Sequence, residues 1–275
     1  MSVQSGGRGR RKTVRDLLEM KRRGEKIVAL TAYDYLFARL VDNGDVDVVL
    51  VGDSLGQVFL GYDSTLPVTL DDMIHHARAV RRGVERALLV VDLPFLTYQV
   101  SPREALRNAG RVMRETGAEA VKLEGGDEET AATVRALVRA GIPVMGHLGL
   151  TPQSVHALGG YRVQGRETAA AERLRADAAR LADAGCFSIV LELIPGALTA
   201  EISRAVHVPT IGIGAGAGAD GQVLVLPDML GLNEGFEPRF LRRFAALAEA
   251  AREGIAAYAA AVRSGEYPGP EHTFE

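Results

Sequence analysis

The chain has 275 residues, 47% of them hydrophobic, and a formal net charge of -3. That is enough apolar material for one large core, and the near-neutral balance gives no basic field of the kind nucleic acid requires. The lone cysteine, Cys186, excludes an internal disulfide and a cysteine-rich zinc site, which suits a reducing compartment.

Residues 1–12, MSVQSGGRGRRK, combine Gly, Ser and Arg with no apolar run behind them. They are expected to form a disordered tail, not a signal peptide or twin-arginine export signal. The basic run KRRGEK (21–26) reads as a solvated face. No apolar stretch approaches the roughly 20 residues that span a bilayer, so a cytoplasmic protein without membrane contact is expected.

A leading helix is predicted over 13–23. Thereafter short Val-, Ile- and Leu-rich runs alternate with longer amphipathic segments, the pattern of βαβ units and a parallel sheet. The runs are IVALTAYD (27–34), VDVVLVGD (46–53), ALLVVDLP (87–94), AVKLEGG (120–126), PVMGHLG (143–149), FSIVLEL (187–193), PTIGIGAG (209–216) and QVLVLPDM (222–229), eight in all. Helices are predicted over 69–83, 102–116, 128–140, 167–184 and 198–206, several opening on a Thr, Ser or Asp cap, and a terminal helix over 238–263. Eight such strands favour a closed (βα)8 TIM barrel with a leading N-terminal helix over an open sheet, filling 13–275 as one catalytic domain.

Parallel strands are buried on both faces, so polar residues at their C-terminal ends require a reason. Asp53 ends the second strand, Asp92 lies near the end of the third, and Lys122 and Glu124 share one face of the fourth. His147 and Glu192 occupy the next two strands. Acids on neighbouring strands, about 4.8 Å apart, can converge at the barrel mouth. Without a cation they would repel one another and protonate. A hard divalent ion relieves that repulsion, and the absence of clustered Cys or paired His ligands favours Mg2+ on Asp53, Asp92 and Glu124. The alternative is that each acid caps a helix or pairs with an arginine. Glu192, flanked by apolar residues, suits a general base, although it could instead pair with a cation. His147 is either a donor to substrate or a satisfied core histidine.

Three motifs mislead. GDSL (52–55) resembles a serine-esterase signature, but no D-x-x-H pair follows near the C-terminus, so Ser54 reads as a substrate hydrogen-bond donor. Gly216-x-Gly218-x-x-Gly221 matches a dinucleotide fingerprint, yet it leads into a strand where a phosphate would need a helix N-terminus. It is expected to be a flexible loop at the barrel mouth. His75 and His76 lie within a predicted helix, where surface positions are expected.

These residues closely resemble those of the ketopantoate hydroxymethyltransferase family. The matching segments are TAYDY (31–35), VGDSLG (51–56), GYDSTLPVT (61–69), DLPF (92–95), VKLEGG (121–126), GHLGLTPQS (146–154), GGYRVQGR (159–166), GIGAG (212–216), DGQ (220–222) and YPGPEH (267–272). The resemblance implies transfer of a hydroxymethyl group from the co-substrate 5,10-methylenetetrahydrofolate to 3-methyl-2-oxobutanoate through a Mg2+-stabilised enolate, in pantothenate synthesis. It implies Mg2+-site roles for Asp53, Asp92 and Glu124, substrate-binding roles for Ser54 and Lys122, a proton-acceptor role for Glu192, and a homodecamer. Mg2+-dependent lyases and mutases acting on phosphoenolpyruvate or 2-oxo acids use a similar platform and remain an alternative, as does a barrel that binds without turnover.

Overall fold

A computed structural model describes residues 10–274. Among the described residues eight parallel strands close in sequence order into a barrel: β1 (Ile27–Thr31), β2 (Val48–Val51), β3 (Leu88–Asp92), β4 (Ala120–Glu124), β5 (Val144–Gly149), β6 (Ser188–Glu192), β7 (Thr210–Ile213) and β8 (Gly221–Leu224). Closure is made by β1 against β8, Ile27 opposite Gly221 through Leu30 opposite Leu224. Each predicted strand is present, trimmed by a few residues where the backbone leaves the ladder.

The helices are α1 (Val14–Arg23), α2 (Tyr35–Asn43), α3 (Leu55–Val58), α4 (Leu70–Gly83), α5 (Pro102–Thr116), α6 (Glu128–Arg139), α7 (Thr168–Ala184), α8 (Gly196–Ala205), α9 (Leu226–Met229) and α10 (Leu247–Ser264). The expected polar caps operate: the side chains of Thr69, Ser101 and Asp127 accept from the backbone amides of Asp72, Glu104 and Thr130. The sequence pattern missed α2, which is only nine residues long between two strands.

Strand parity separates the barrel into two halves. Val48, Leu50, Leu88, Val90, Ala120, Met145 and Val190 fill its N-terminal half as one apolar cluster, into which α1 inserts Leu17 and Met20. Side chains two apart share a face, so the same inner face continues upward through Asp92, Lys122, Glu124, His147 and Glu192. The closed end is therefore oily, and the polar residues gather at the other.

The chain divides into two compact units, Met1–Val225 and Leu226–Glu275, and the barrel is complete within the first. Of the expected disordered tail, residues 1–9 lie outside the described residues. Arg11 and Lys12 are held, the Arg11 Nε donating to Glu85 O and the Lys12 amide to Arg86 O. The predicted last strand ends at Leu224 and is followed by the short helix α9. The predicted terminal helix starts nine residues late, at Leu247. Ahead of it the amide of Phe244 bonds Met229 O and that of Leu247 bonds Leu230 O, so this segment satisfies its backbone against α9 instead of itself. Among the described residues no helix is long and apolar enough to cross a membrane.

Candidate active site

The strand register brings the predicted residues side by side. Asp92 pairs with Lys122 across β3 and β4, Glu124 with His147 across β4 and β5, and Gly149 with Glu192 across β5 and β6. Asp53 lies two residues beyond β2, where the chain turns into α3, and its amide donates to Asp92 Oδ2 at 3.1 Å.

Lys122 Nζ is 2.6 Å from Asp92 Oδ1, both side chains almost fully buried. Burial opposes the lysine's charge, but Asp92, Asp53 and Glu124 outweigh it and hold its pKa above the usual value. Asp53 behaves oppositely: burial, then the charges of Asp92 and Glu124, push its carboxyl up to about 8. The His147 ring spans two acids, with Nδ1 3.3 Å from Glu124 Oε1 and Nε2 3.1 Å from Glu192 Oε2. Burial disfavours its cation, yet the two carboxylates prevail and raise it to about 9. These contacts are ionic and lack hydrogen-bond alignment, and both ring nitrogens, Asp92 Oδ1 and Glu124 Oε1 are buried without a hydrogen-bond partner.

Glu192 is the least enclosed of the set, its side chain 17% exposed. That leaves it reachable from the mouth, and weakens the expectation of a fully apolar setting. Immediately after it Leu193 adopts a left-handed backbone, φ 46°, uncommon for leucine and a local strain at the end of β6.

Ser54 Oγ is 2.8 Å from the hydroxyl of buried Tyr33. His75 is exposed as expected, whereas His76 is half-buried with Nδ1 2.7 Å from Tyr33 O. The glycine loop departs from expectation. Residues 214–220 begin at the mouth but run against α8, where a Cβ on Gly218 would meet Ala200 at 2.8 Å, to the opposite end of the barrel. There Lys26 Nζ donates to Ala219 O at 2.5 Å, and Asp220 Oδ2 accepts from the Thr210 amide and from Lys21 Nζ, each at 2.8 Å. The loop is pinned because β7 and β8 have no helix between them to carry the chain back.

Residues outside the strands complete the site, and periodicity could not find them. Gln153, in the turn Pro152–Ser154 after β5, donates from Nε2 to Asp53 Oδ2 at 2.8 Å and from its amide to Glu124 Oε2 at 3.0 Å. The Tyr98 hydroxyl accepts from the Glu124 amide at 3.0 Å. Gln153 was visible only as part of the matched segment GHLGLTPQS, and Tyr98 lies in none of those segments.

Among the described residues no three His, Cys, Asp or Glu side chains already form a ready-made metal-binding cluster. The donor chemistry nonetheless suits a hard divalent ion. All three side chains are carboxylates, and they lie close enough that Asp92 and Glu124 add to burial in raising the pKa of Asp53. Residues 53, 92 and 124 thus fit Mg2+ better than zinc. The arrangement as a whole offers a cation and two or three acids to a small anionic substrate, with a half-open carboxylate opposite them.

The description of the ketopantoate hydroxymethyltransferase family matches residues 11–270. The 3-methyl-2-oxobutanoate hydroxymethyltransferase of Syntrophotalea carbinolica is 56% identical over 265 residues, 96% of this chain and 99% of that protein. Its counterpart from Syntrophus aciditrophicus is 53% identical over 274 residues, covering both chains completely. Among solved structures, phosphoenolpyruvate phosphomutase from Streptomyces platensis subsp. rosaceus superposes with a TM-score of 0.59 at 13% identity, over 94% of this chain and 92% of that one. The 2,3-dimethylmalate lyase, a PEP mutase/isocitrate lyase superfamily member, gives 0.58 at 17% identity, over 94% and 92%. At such identities these structures share the fold alone.

Proposed function

The chain belongs to the ketopantoate hydroxymethyltransferase family, and on that premise we propose that it moves a hydroxymethyl group from 5,10-methylenetetrahydrofolate to 3-methyl-2-oxobutanoate, yielding 2-dehydropantoate and tetrahydrofolate in pantothenate synthesis. The observation that carries this reading is the convergence of Asp53, Asp92, Lys122 and Glu124 opposite Glu192 at one end of the barrel.

Asp53, Asp92 and Glu124 would hold Mg2+, and the bound ion would supply Lewis-acid polarisation of the 2-oxo acid. Lys122, fully charged in its buried pair with Asp92, offsets the substrate's carboxylate. Ser54, steadied by Tyr33, donates a hydrogen bond that orients the oxo acid. Glu192 removes the C3 proton. Its carboxylate is aimed by His147, which lies between Glu124 and Glu192 and can reach substrate only by releasing one of them. The C3 carbanion then bonds to the one-carbon unit, both of that carbon's bonds to folate nitrogens break to release tetrahydrofolate, and water provides the new hydroxyl oxygen. The protein is proposed to act in the cytoplasm and to assemble as a ring-like homodecamer.

Purified protein with Mg2+ is expected to convert the two substrates to 2-dehydropantoate, and absence of product rejects the reading. Glu192→Gln is expected to lower solvent exchange of the substrate's C3 proton by about 100-fold or more while Mg2+-dependent substrate binding persists, as removal of a general base does. Lost binding with normal exchange, followed by NMR in deuterium oxide, would contradict the assigned role.

A further inference from the structure

We infer that Gln153 is a positioning residue that sets the direction of the acids Asp53 and Glu124 and thereby tunes the affinity of the site for a divalent cation. The inference rests on the proposed reading of those acids as the metal site. Gln153 is buried and every polar capacity of its side chain is used. Nε2 donates to Asp53 Oδ2 at 2.8 Å and to Leu93 O at 3.0 Å. Oε1 accepts from the Tyr98 hydroxyl at 2.8 Å and from Gln99 Nε2 at 3.1 Å. The backbone amide donates to Glu124 Oε2 at 3.0 Å.

This pattern fixes which end of the carboxamide faces the acids. Turned over, Oε1 would meet the Leu93 carbonyl and, with Asp53 ionised as metal binding requires, a carboxylate, two acceptors. Tyr98 favours the choice, because its hydroxyl accepts from the Glu124 amide and has its own proton to donate, with the Glu124 carbonyl at 3.3 Å as the longer alternative. Its shortest acceptor is Gln153 Oε1. The turn is held by Pro152 and by the amide of Ser154 on Thr151 O at 2.8 Å, so the glutamine is presented from a stiff support.

The consequence is a division of labour between carboxylate oxygens. Gln153 commits one oxygen of Asp53 and one of Glu124, and leaves the second Glu124 oxygen, Oε1, facing His147 Nδ1 at 3.3 Å. A neutral amide achieves this without cancelling the negative charge that attracts an ion, which a lysine or arginine there would do. Partners that hold ligating carboxylates in place act on metal affinity in this way.

The test measures Mn2+ binding by electron paramagnetic resonance on substrate-free protein, with the Mg2+ requirement of turnover beside it. Gln153→Ala is expected to raise the Mn2+ Kd by about 10- to 100-fold, and Tyr98→Phe by about 3- to 10-fold, with the Mg2+ concentration for half-maximal turnover rising in step. The shift should exceed any change in KM for the oxo acid at saturating Mg2+. Circular dichroism establishes that each variant is folded, and if Gln153→Ala is not, Tyr98→Phe decides. A folded variant that binds Mn2+ like the wild type overturns the inference alone, provided that Asp53→Asn loses Mn2+. If the wild-type protein binds no Mn2+, the metal reading and the inference fall together.

Discussion

At neutral pH the metal-free protein keeps a proton on Asp53, because burial and the charges of Asp92 and Glu124 hold its carboxyl near 8. The folded pKa lies above the unfolded one, so the stability that this proton contributes is complete below the unfolded value of 3.8 and is lost as pH rises through about 8. His147 runs the same way: its contribution is complete below 6.5 and lost as pH rises through about 9. Unfolding midpoints of the metal-free protein should therefore fall as pH rises from neutrality towards 9. A cation must displace the Asp53 proton, so Mg2+ affinity should strengthen by up to about tenfold per pH unit and level off above pH ~8. Calorimetric titration across that range checks it, and a flat profile contradicts it. At this scale Asp92, Lys122, Glu124, His147 and Glu192 were legible in the sequence, because a strand's period of two states which residues share a face. Gln153 and Tyr98 were not, since a loop has no period and their value lies in partners far away in sequence.

The elements hold these side chains through their closest approach. Gly149 at the tip of β5 has φ 95°, and a Cβ there would lie 2.1 Å from Glu192 O on β6. Gly149→Ala must bend one strand tip away from the other and also strain its own backbone. A loss of about 3 kcal/mol in stability is expected, read from the urea midpoint, together with a displaced Glu192 and reduced turnover. An unchanged midpoint would show that the tip has room. The strands were readable because apolar, β-branched runs of this length bounded by Gly, Asp and Pro have few other fates. The early helix α2 escaped notice because it is only nine residues long and squeezed between two strand signals, and the terminal helix was drawn too long because its alanine-rich run gives no start signal. Its first residue follows Ala246, which makes no capping hydrogen bond.

Closing the whole barrel depends on bringing β8 back beside β1 without a helix to return the chain. Asp220 does much of this at the closed end. Its side chain accepts from Thr210, at the start of β7, and from Lys21 of α1, and its carbonyl accepts from Ile27, at the start of β1. Asp220→Ala removes charged hydrogen bonds from all but the last of these, and is expected to cost about 3 kcal/mol, lowering the thermal midpoint while leaving Mn2+ binding at the proposed site at the other end intact. Weakened Mn2+ binding in a folded variant would contradict that separation of the two ends. Closure itself was legible from the count of strands, whereas the compact unit Leu226–Glu275 was not. No periodic signal marks a boundary where a single residue, Val225, joins a strand to a short helix.

The chain has only four lysines, Lys12, Lys21, Lys26 and Lys122. An amine is acylated only as its free base, and Lys122 is both enclosed and held in its charged form by Asp92, Asp53 and Glu124. An amine-reactive ester should therefore mark exposed Lys26 promptly and pass over Lys122 until the barrel opens. Followed by mass spectrometry, the slow appearance of label on Lys122 becomes a clock for the opening of the mouth, and labelling as fast as that of Lys26 would show that its pair with Asp92 does not close it off.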